Sequence, residues 1–262
     1  MSLSEIQGLI DAFAAQENID AVALGGSRSS GANDSHSDYD LYIYTTEPLS
    51  LDTRRQIMTD HCSTTEIGNH YWEDEDNCIL NTGTPIDVIY RNWEHFSHIM
   101  TYIVDEHHSM NGYTTCFWHN LLNSQILFDR NGNFAQLQKK YAIPYPAELK
   151  QAIIEQNMNL LTGVLPSYDL QIKKALERND VVSVNHRVTG FLASYFDVIF
   201  ALNEKTHPGE KRLIELCKAQ CTLLPKNFEE NINHLFNVMY HKPSETMSVI
   251  ADMIAALKEI IC

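Results

Sequence analysis

Apolar positions in the first half of the chain fall into short blocks whose period changes from block to block. Ser4 and Gln7 form a capping-box pattern, and Ile6, Leu9, Ile10 and Phe13 recur at helical spacing, which predicts a first helix ending near Gln16. The run AVALG, residues 21–25, then reads as a strand. Residues 25–37 are dense in Gly, Ser, Asn and Asp and read as a loop, after which Asp40-Leu-Tyr-Ile-Tyr44 reads as a second strand. A helix around Leu51 to His61, a weaker strand over Thr64 to His70, a solvated acidic turn at WEDED (residues 72–76) and a β-branched strand over Pro85 to Tyr90 follow. This alternation predicts an α+β domain built on a mixed sheet.

The Asp129-Arg-Asn-Gly132 turn, with Pro144 and Pro146 beyond it, marks a change of pattern. From there the periodicity is helical. Leu149, Ile153, Leu160, Leu161, Val164 and Leu165 lie near one stripe closed by Pro166. Asp180 can cap a longer helix carrying Val184, Val188, Phe191, Leu192, Tyr195, Phe196, Ile199 and Phe200. Two more helices are expected, from about Asn227 to Tyr240 and from Ser244 to the end. The expected division is therefore an α+β domain over residues 1–142 and an all-α helical bundle over 143–262.

Charge changes the picture next. Lys and Arg number 19 against 34 Asp and Glu, a formal net charge of −15, which argues against a nucleic-acid partner and favours a cationic or metal-bound one. The six cysteines form no CxxC pair, which fits a reducing cytoplasm better than a disulfide scaffold or a zinc ribbon. The N-terminal segment does not read as a signal peptide, since Glu5 and Asp11 interrupt its apolar stretch. The most apolar run, Phe191 to Leu202, contains Asp197, so no membrane span is expected.

Candidate chemistry centres on Asp38-Tyr39-Asp40. Two carboxylates two residues apart at a strand entry share a face, and such a pair attracts a hard divalent cation. Asp87, flanked by apolar Ile86 and Val88, emerges on the polar face of its own strand and supplies a third carboxylate. Gly25 and Gly26 let the backbone approach a bulky anion, Ser27 adds a hydroxyl and Arg28 a charged fork, a set that suits a triphosphate. The plain alternatives are a capped strand entry for Asp38 and Asp40, an exposed strand position for Asp87 and an ion pair with a neighbouring acid for Arg28.

Taken together, Leu24-Gly25-Gly26-Ser27, ten intervening residues, Asp38-Tyr39-Asp40 and the later Asp87 in PIDVIY resemble the signature of the DNA polymerase β-like nucleotidyltransferases. The Gly-Ser-Arg wording is similar to small bacterial members, among them antibiotic-adenylylating enzymes. The resemblance implies that Asp38 and Asp40 hold Mg2+, with Asp87 as the third ligand or as the base for a substrate hydroxyl. It implies that Gly26 and Ser27 hold the β- and γ-phosphates of ATP, and that the reaction moves AMP to a hydroxyl of a small molecule with release of pyrophosphate. A cationic or hydroxylated acceptor such as an aminoglycoside fits that implication; the alternatives are a protein acceptor and a nucleotide-binding protein without turnover. Asn203 to Arg212 resembles the Asn…Pro-Gly-x-Lys segment of some bacterial members, which implies Lys211 as a phosphate contact; its plain alternative is an exposed lysine after a turn.

Three further groups read as structural. His95, His98, His107 and His108 lack a carboxylate or cysteine at ligand spacing, Cys217 and Cys221 read as packed helix positions, and the aromatic stripe from Phe191 to Phe200 reads as core. For the Glu73 to Asp76 run, steering of a cationic acceptor is the functional alternative to a solvated turn.

Overall fold

A computed structural model describes residues 3–26 and 38–261. They divide into two compact units, one from the described residues of Met1–Thr101 and Asn120–Ile143, the other from those of Tyr102–His119 and Pro144–Cys262. The sequence suggested a single cut between 142 and 143, whereas the chain enters the second unit at Tyr102, returns at Asn120 and leaves again at Pro144. Long-range polar ties explain the excursion. Gly112 N donates to Asn157 Oδ1 at 3.0 Å, and Thr114 donates to Asp197 through its N and Oγ1 at 3.1 and 2.7 Å.

In the first unit, α1 (Gln7–Ala14), β1 (Ile19–Leu24), β2 (Tyr39–Thr45), α2 (Leu51–His61), β3 (Cys62–Asn69), β4 (Asp74–Leu80), β5 (Pro85–Asn92) and α3 (Trp93–Met100) succeed one another. Helix α4 (Cys116–Asn123) brings the chain back to β6 (Gln125–Asp129) and α5 (Asn133–Tyr141). The six strands form one sheet in the order β3-β4-β5-β2-β1-β6. Only the β2–β5 pair in it is parallel. One face carries Val22, Leu24, Leu41, Ile43, Ile86 and Val88 into a core with Leu9, Ile10 and Phe13 of α1 and Ile57 and Met58 of α2. Because strand side chains alternate, Asp40, Tyr42 and Asp87 take the opposite face.

Two local expectations are corrected. Helix α1 begins at Gln7 with Ile6 at its N-cap and no side-chain cap, so the Ser4–Gln7 pair is not its capping box. Leu3–Glu5 instead form a short 3-10 turn, and the Glu5 carboxylate accepts from Tyr39 Oη at 3.0 Å, from Thr84 Oγ1 at 2.7 Å and from Thr82 Oγ1. The acidic stretch at 72–76 is not a solvated turn either, because its second half enters β4 and Asp76 is 0% exposed. Asp76 accepts from Arg54 Nη2 and Nε at 2.6 and 3.1 Å, from Tyr90 Oη at 2.8 Å and from Gly68 N at 2.8 Å. Arg54 reaches Asp74 as well, at 2.7 Å, and lies 3.9 Å over the Tyr90 ring. Burial alone would lower the pKa of Arg54; its hydrogen bonds to Asp76 and Asp74 reverse that and raise it.

The second unit contains α6 (Ala147–Leu161), α7 (Tyr168–Glu177), α8 (Val181–Leu202), α9 (Leu213–Gln220), α10 (Phe228–His241) and α11 (Thr246–Ile261). Asp180 caps α8 by accepting from Ser183 N at 3.0 Å. The stripe on α8 is core as its spacing predicts, with Phe191, Tyr195, Ile199 and Phe200 packed against Phe228, Leu235 and Leu257. Among the described residues no helix is long and apolar enough to cross a membrane.

Candidate active site

The parallel register of β2 and β5 sets Asp40 directly beside Asp87. Asp38 lies two residues before Asp40, at the same phase of the alternation. The result is a cluster: Asp38, Asp40 and Asp87 are all half-buried, and one carboxylate oxygen from each lies within 4.8 Å of the others. At an effective dielectric near 20, two such charges repel by roughly 3 kcal/mol, a cost that a divalent cation or a proton relieves. Three hard oxygen donors converging from two adjacent strands are the donor set that suits Mg2+. Among the described residues, this is the one group of three or more His, Cys, Asp or Glu side chains so placed. The histidines of residues 95–108 and Cys217 and Cys221 form no such group.

The end of β1 is shaped around the same carboxylates. Gly25 N donates to the Asp40 carbonyl at 2.9 Å. Gly26 has φ +62°, and a Cβ there would lie 1.7 Å from Asp40 Oδ2, so both backbone conformation and space require glycine. Beneath Gly25 sits Tyr42, whose ring a Cβ at position 25 would meet at 2.2 Å. Arg91 stacks 4.2 Å over that ring and is held by Glu73 at 2.8 and 2.7 Å and by Asn120 at 3.0 Å. A half-buried cation and an aromatic ring thus seat the glycine turn against the acid cluster.

Asp87 has a partner that sequence reasoning passed over. Asn77 Nδ2 donates to Asp87 Oδ1 at 2.9 Å, and Asn69 Nδ2 donates to Asn77 Oδ1 at 2.6 Å. Glu75, two residues from Asn77 on the same strand face, is buried, and burial first, then the charge of Asp87, raises its carboxyl pKa. The available signal was the parity of 73, 75 and 77 against the buried positions 76, 78 and 80, which becomes readable only once this acidic run is taken as a strand.

The remaining expected site residues are placed as follows. Ser27 and Arg28 lie outside the described residues. Lys211 is exposed in the turn before α9 and belongs to the second unit. Upstream of it, His207 is buried, donates its backbone N–H to Thr115 Oγ1 at 2.8 Å and accepts from Gly209 N at ring Nδ1 at 3.1 Å. Burial, then the neighbouring His119, pushes its pKa down to about 3, so the ring is a neutral core element that pins the Pro208–Gly209 bend.

Sequence comparison finds a likeness over the first unit. A family model described as "Polymerase beta, Nucleotidyltransferase" matches residues 7–107, the stretch that holds every residue of the acid cluster. The match covers 101 of the 262 residues and likens this part of the chain to the polymerase β nucleotidyltransferases. A second model, described as "Domain of unknown function (DUF4037)", matches residues 115–213, beyond that stretch. No curated protein matches the chain by sequence. Solved structures that resemble it include a nucleotidyltransferase-like protein from Exiguobacterium sibiricum 255-15, at 12% identity and TM-score 0.46, covering 98% of this chain and 73% of that one. An aminoglycoside 6-adenyltransferase from Bacillus subtilis aligns at 12% identity and TM-score 0.31 over 99% of this chain and 92% of its own. The Thermotoga maritima CCA-adding enzyme complexed with tRNA aligns at 12% identity and TM-score 0.29 over 97% and 80%. At these scores the structural likenesses carry no argument, and the likeness that counts is the one over residues 7–107.

Proposed function

We propose that the chain is a nucleotidyltransferase that transfers AMP from ATP, with Mg2+, to a hydroxyl of a small-molecule acceptor and releases pyrophosphate. The observation that carries the reading is the convergence of Asp38, Asp40 and Asp87 within 4.8 Å inside the stretch likened to the polymerase β nucleotidyltransferases. Asp38 and Asp40 would hold the cation, and Asp87 would complete the set or accept the proton of the attacking hydroxyl. When bound, the cation supplies charge neutralisation at the transferring phosphoryl group. In the transfer, the acceptor oxygen forms a bond to the α-phosphorus as the bond from that phosphorus to the β-bridging oxygen breaks, and the hydroxyl proton passes to a base.

The chain's own residues account for orientation. Gly26, exposed and closed to any side chain, presents bare backbone beside Asp40, and with Ser27 it is assigned to the β- and γ-phosphates. Arg28 and Lys211 are assigned to phosphate charge. A net charge of −15 favours a cationic acceptor, aminoglycoside-like in chemistry, over a nucleic acid. A reducing cytoplasm suits the free thiols of Cys62, Cys78, Cys116, Cys217 and Cys221.

The test is pyrophosphate release from each of the four nucleoside triphosphates with Mg2+ and a panel of hydroxylated cationic acceptors. Release with ATP is expected, and Asp40→Ala should reduce it by at least about 10^3-fold, the scale of losing a group that stabilises transition-state charge. Full activity in Asp40→Ala would overturn the assignment of the acids. Nucleotide binding without release for any acceptor would favour a binding protein without turnover.

A further inference from the structure

The strand registers align more than the three acids. Glu66 on β3 stands opposite Asn77 on β4, Asn77 opposite Asp87 on β5, and Asp87 opposite Asp40 on β2. Four polar residues therefore cross four neighbouring strands in one row, each about 5 Å from the next. Hydrogen bonds tie this row together through Asn69, which donates toward both Glu66 and Asn77. Asn69 Nδ2 donates to Asn77 Oδ1 at 2.6 Å and, at 3.5 Å, to Glu66 Oε2, while Asn77 Nδ2 donates to Asp87 Oδ1 at 2.9 Å. Carboxylates only accept, so Glu66 at one end and Asp87 at the other fix which way the two amides turn. With its amide reversed, Asn77 would set its own oxygen against Asp87 Oδ1.

The other face of β4 keeps the row in register. Asp76, next to Asn77 in sequence, is locked by Arg54, Tyr90 and Gly68 N. A slip of β4 by one residue would exchange Asp76 and Asn77 between the two faces, so the buried pair specifies which side chain meets Asp87.

We infer that Asn77 is a positioning residue for Asp87, with Asn69 orienting Asn77 in turn. Asn77 holds Asp87 Oδ1 with a neutral donor and leaves the remaining lone pairs of that carboxylate to the cluster with Asp38 and Asp40. Asn77 acts only through Asp87, contacting neither nucleotide nor cation. The inference rests on the reading of the acid cluster as a cation site, and it extends that reading to a strand where composition suggested a turn.

The test is Mn2+ binding to the full chain, followed by electron paramagnetic resonance, for wild type, Asn77→Ala, Asn69→Ala and Asp40→Ala. Partners that orient metal ligands are worth 10- to 100-fold in metal affinity, so Asn77→Ala should weaken Mn2+ at least about tenfold, and Asn69→Ala about threefold. In turnover, kcat should fall in Asn77→Ala while KM for ATP stays unchanged. If wild type binds Mn2+ and Asn77→Ala binds it equally well, the inference is wrong and the cation site stands. If wild type binds no Mn2+ and Asp40→Ala behaves identically, the cation-site reading falls and takes the inference with it. Should Asn77→Ala fail to fold, Asn69→Ala decides, and undiminished affinity there overturns the relay.

Discussion

The two faces of one sheet use aspartate in opposite ways. On the α1–α2 face, Asp76 is fully buried and receives donors from Arg54, Tyr90 and Gly68, so its charge is consumed inside the protein. On the other face, Asp38, Asp40 and Asp87 are half-buried and crowd one another within 4.8 Å. The side chain is the same in each case, and the partners decide its role. A carboxylate matched by a bidentate guanidinium is architecture, while carboxylates gathered with like charges store an electrostatic cost that a cation recovers.

Breaking the buried half of this comparison should have the larger effect on stability. Arg54→Met leaves Asp76 charged and unmatched in the interior, a change worth about 3–5 kcal/mol, readable as a lower denaturant midpoint. An unchanged midpoint would mean that the pair contributes nothing to the fold. The second unit offers a third kind of aspartate. Burial pushes Asp197 up to about 7, although hydrogen bonds from Thr114 and Asn157 pull the other way. The folded chain therefore keeps a proton that the unfolded chain releases near its ordinary value of 3.8, so the contribution of Asp197 to stability falls as pH rises from about 4 to about 7. Asp197→Asn does not titrate, so the stability difference between wild type and this variant should shift against wild type by roughly 3 kcal/mol between pH 5 and pH 8. His207, kept neutral down to about 3, acts in the opposite sense but is common to both chains and cancels. A pH-independent difference would show that Asp197 is ionised throughout.

The same contrast explains what was legible in the sequence. Asp38, Asp40 and Asp87 were readable because local alternation and flanking apolar residues fix the face of a strand within a few positions. Helix α2, expected around Leu51 to His61, forms there, and Ser50, which the sequence reading passed over, caps it by accepting from Thr53 N. Asp76 and Asn77 were not readable, because the acidic run looks solvated until Arg54, 22 residues away, neutralises it. The excursion of 102–119 into the helical unit depends on Thr114 meeting Asp197 across 83 residues, which no periodicity reports. Strand β6 escaped notice for a related reason, since its pairing with β1 joins Gln125 to Leu24. Local chemistry was visible in the chain, and partners supplied from a distance were not.

The most direct test of the central claim is the thermal midpoint of wild type and Asp40→Asn with ATP, in EDTA and then in Mg2+, since a ligand bound only by the folded chain raises the midpoint. The account predicts a rise on adding Mg2+ in wild type and none in Asp40→Asn. An equal rise in both proteins, or none in wild type, would contradict the assignment of Asp38, Asp40 and Asp87 as the cation site.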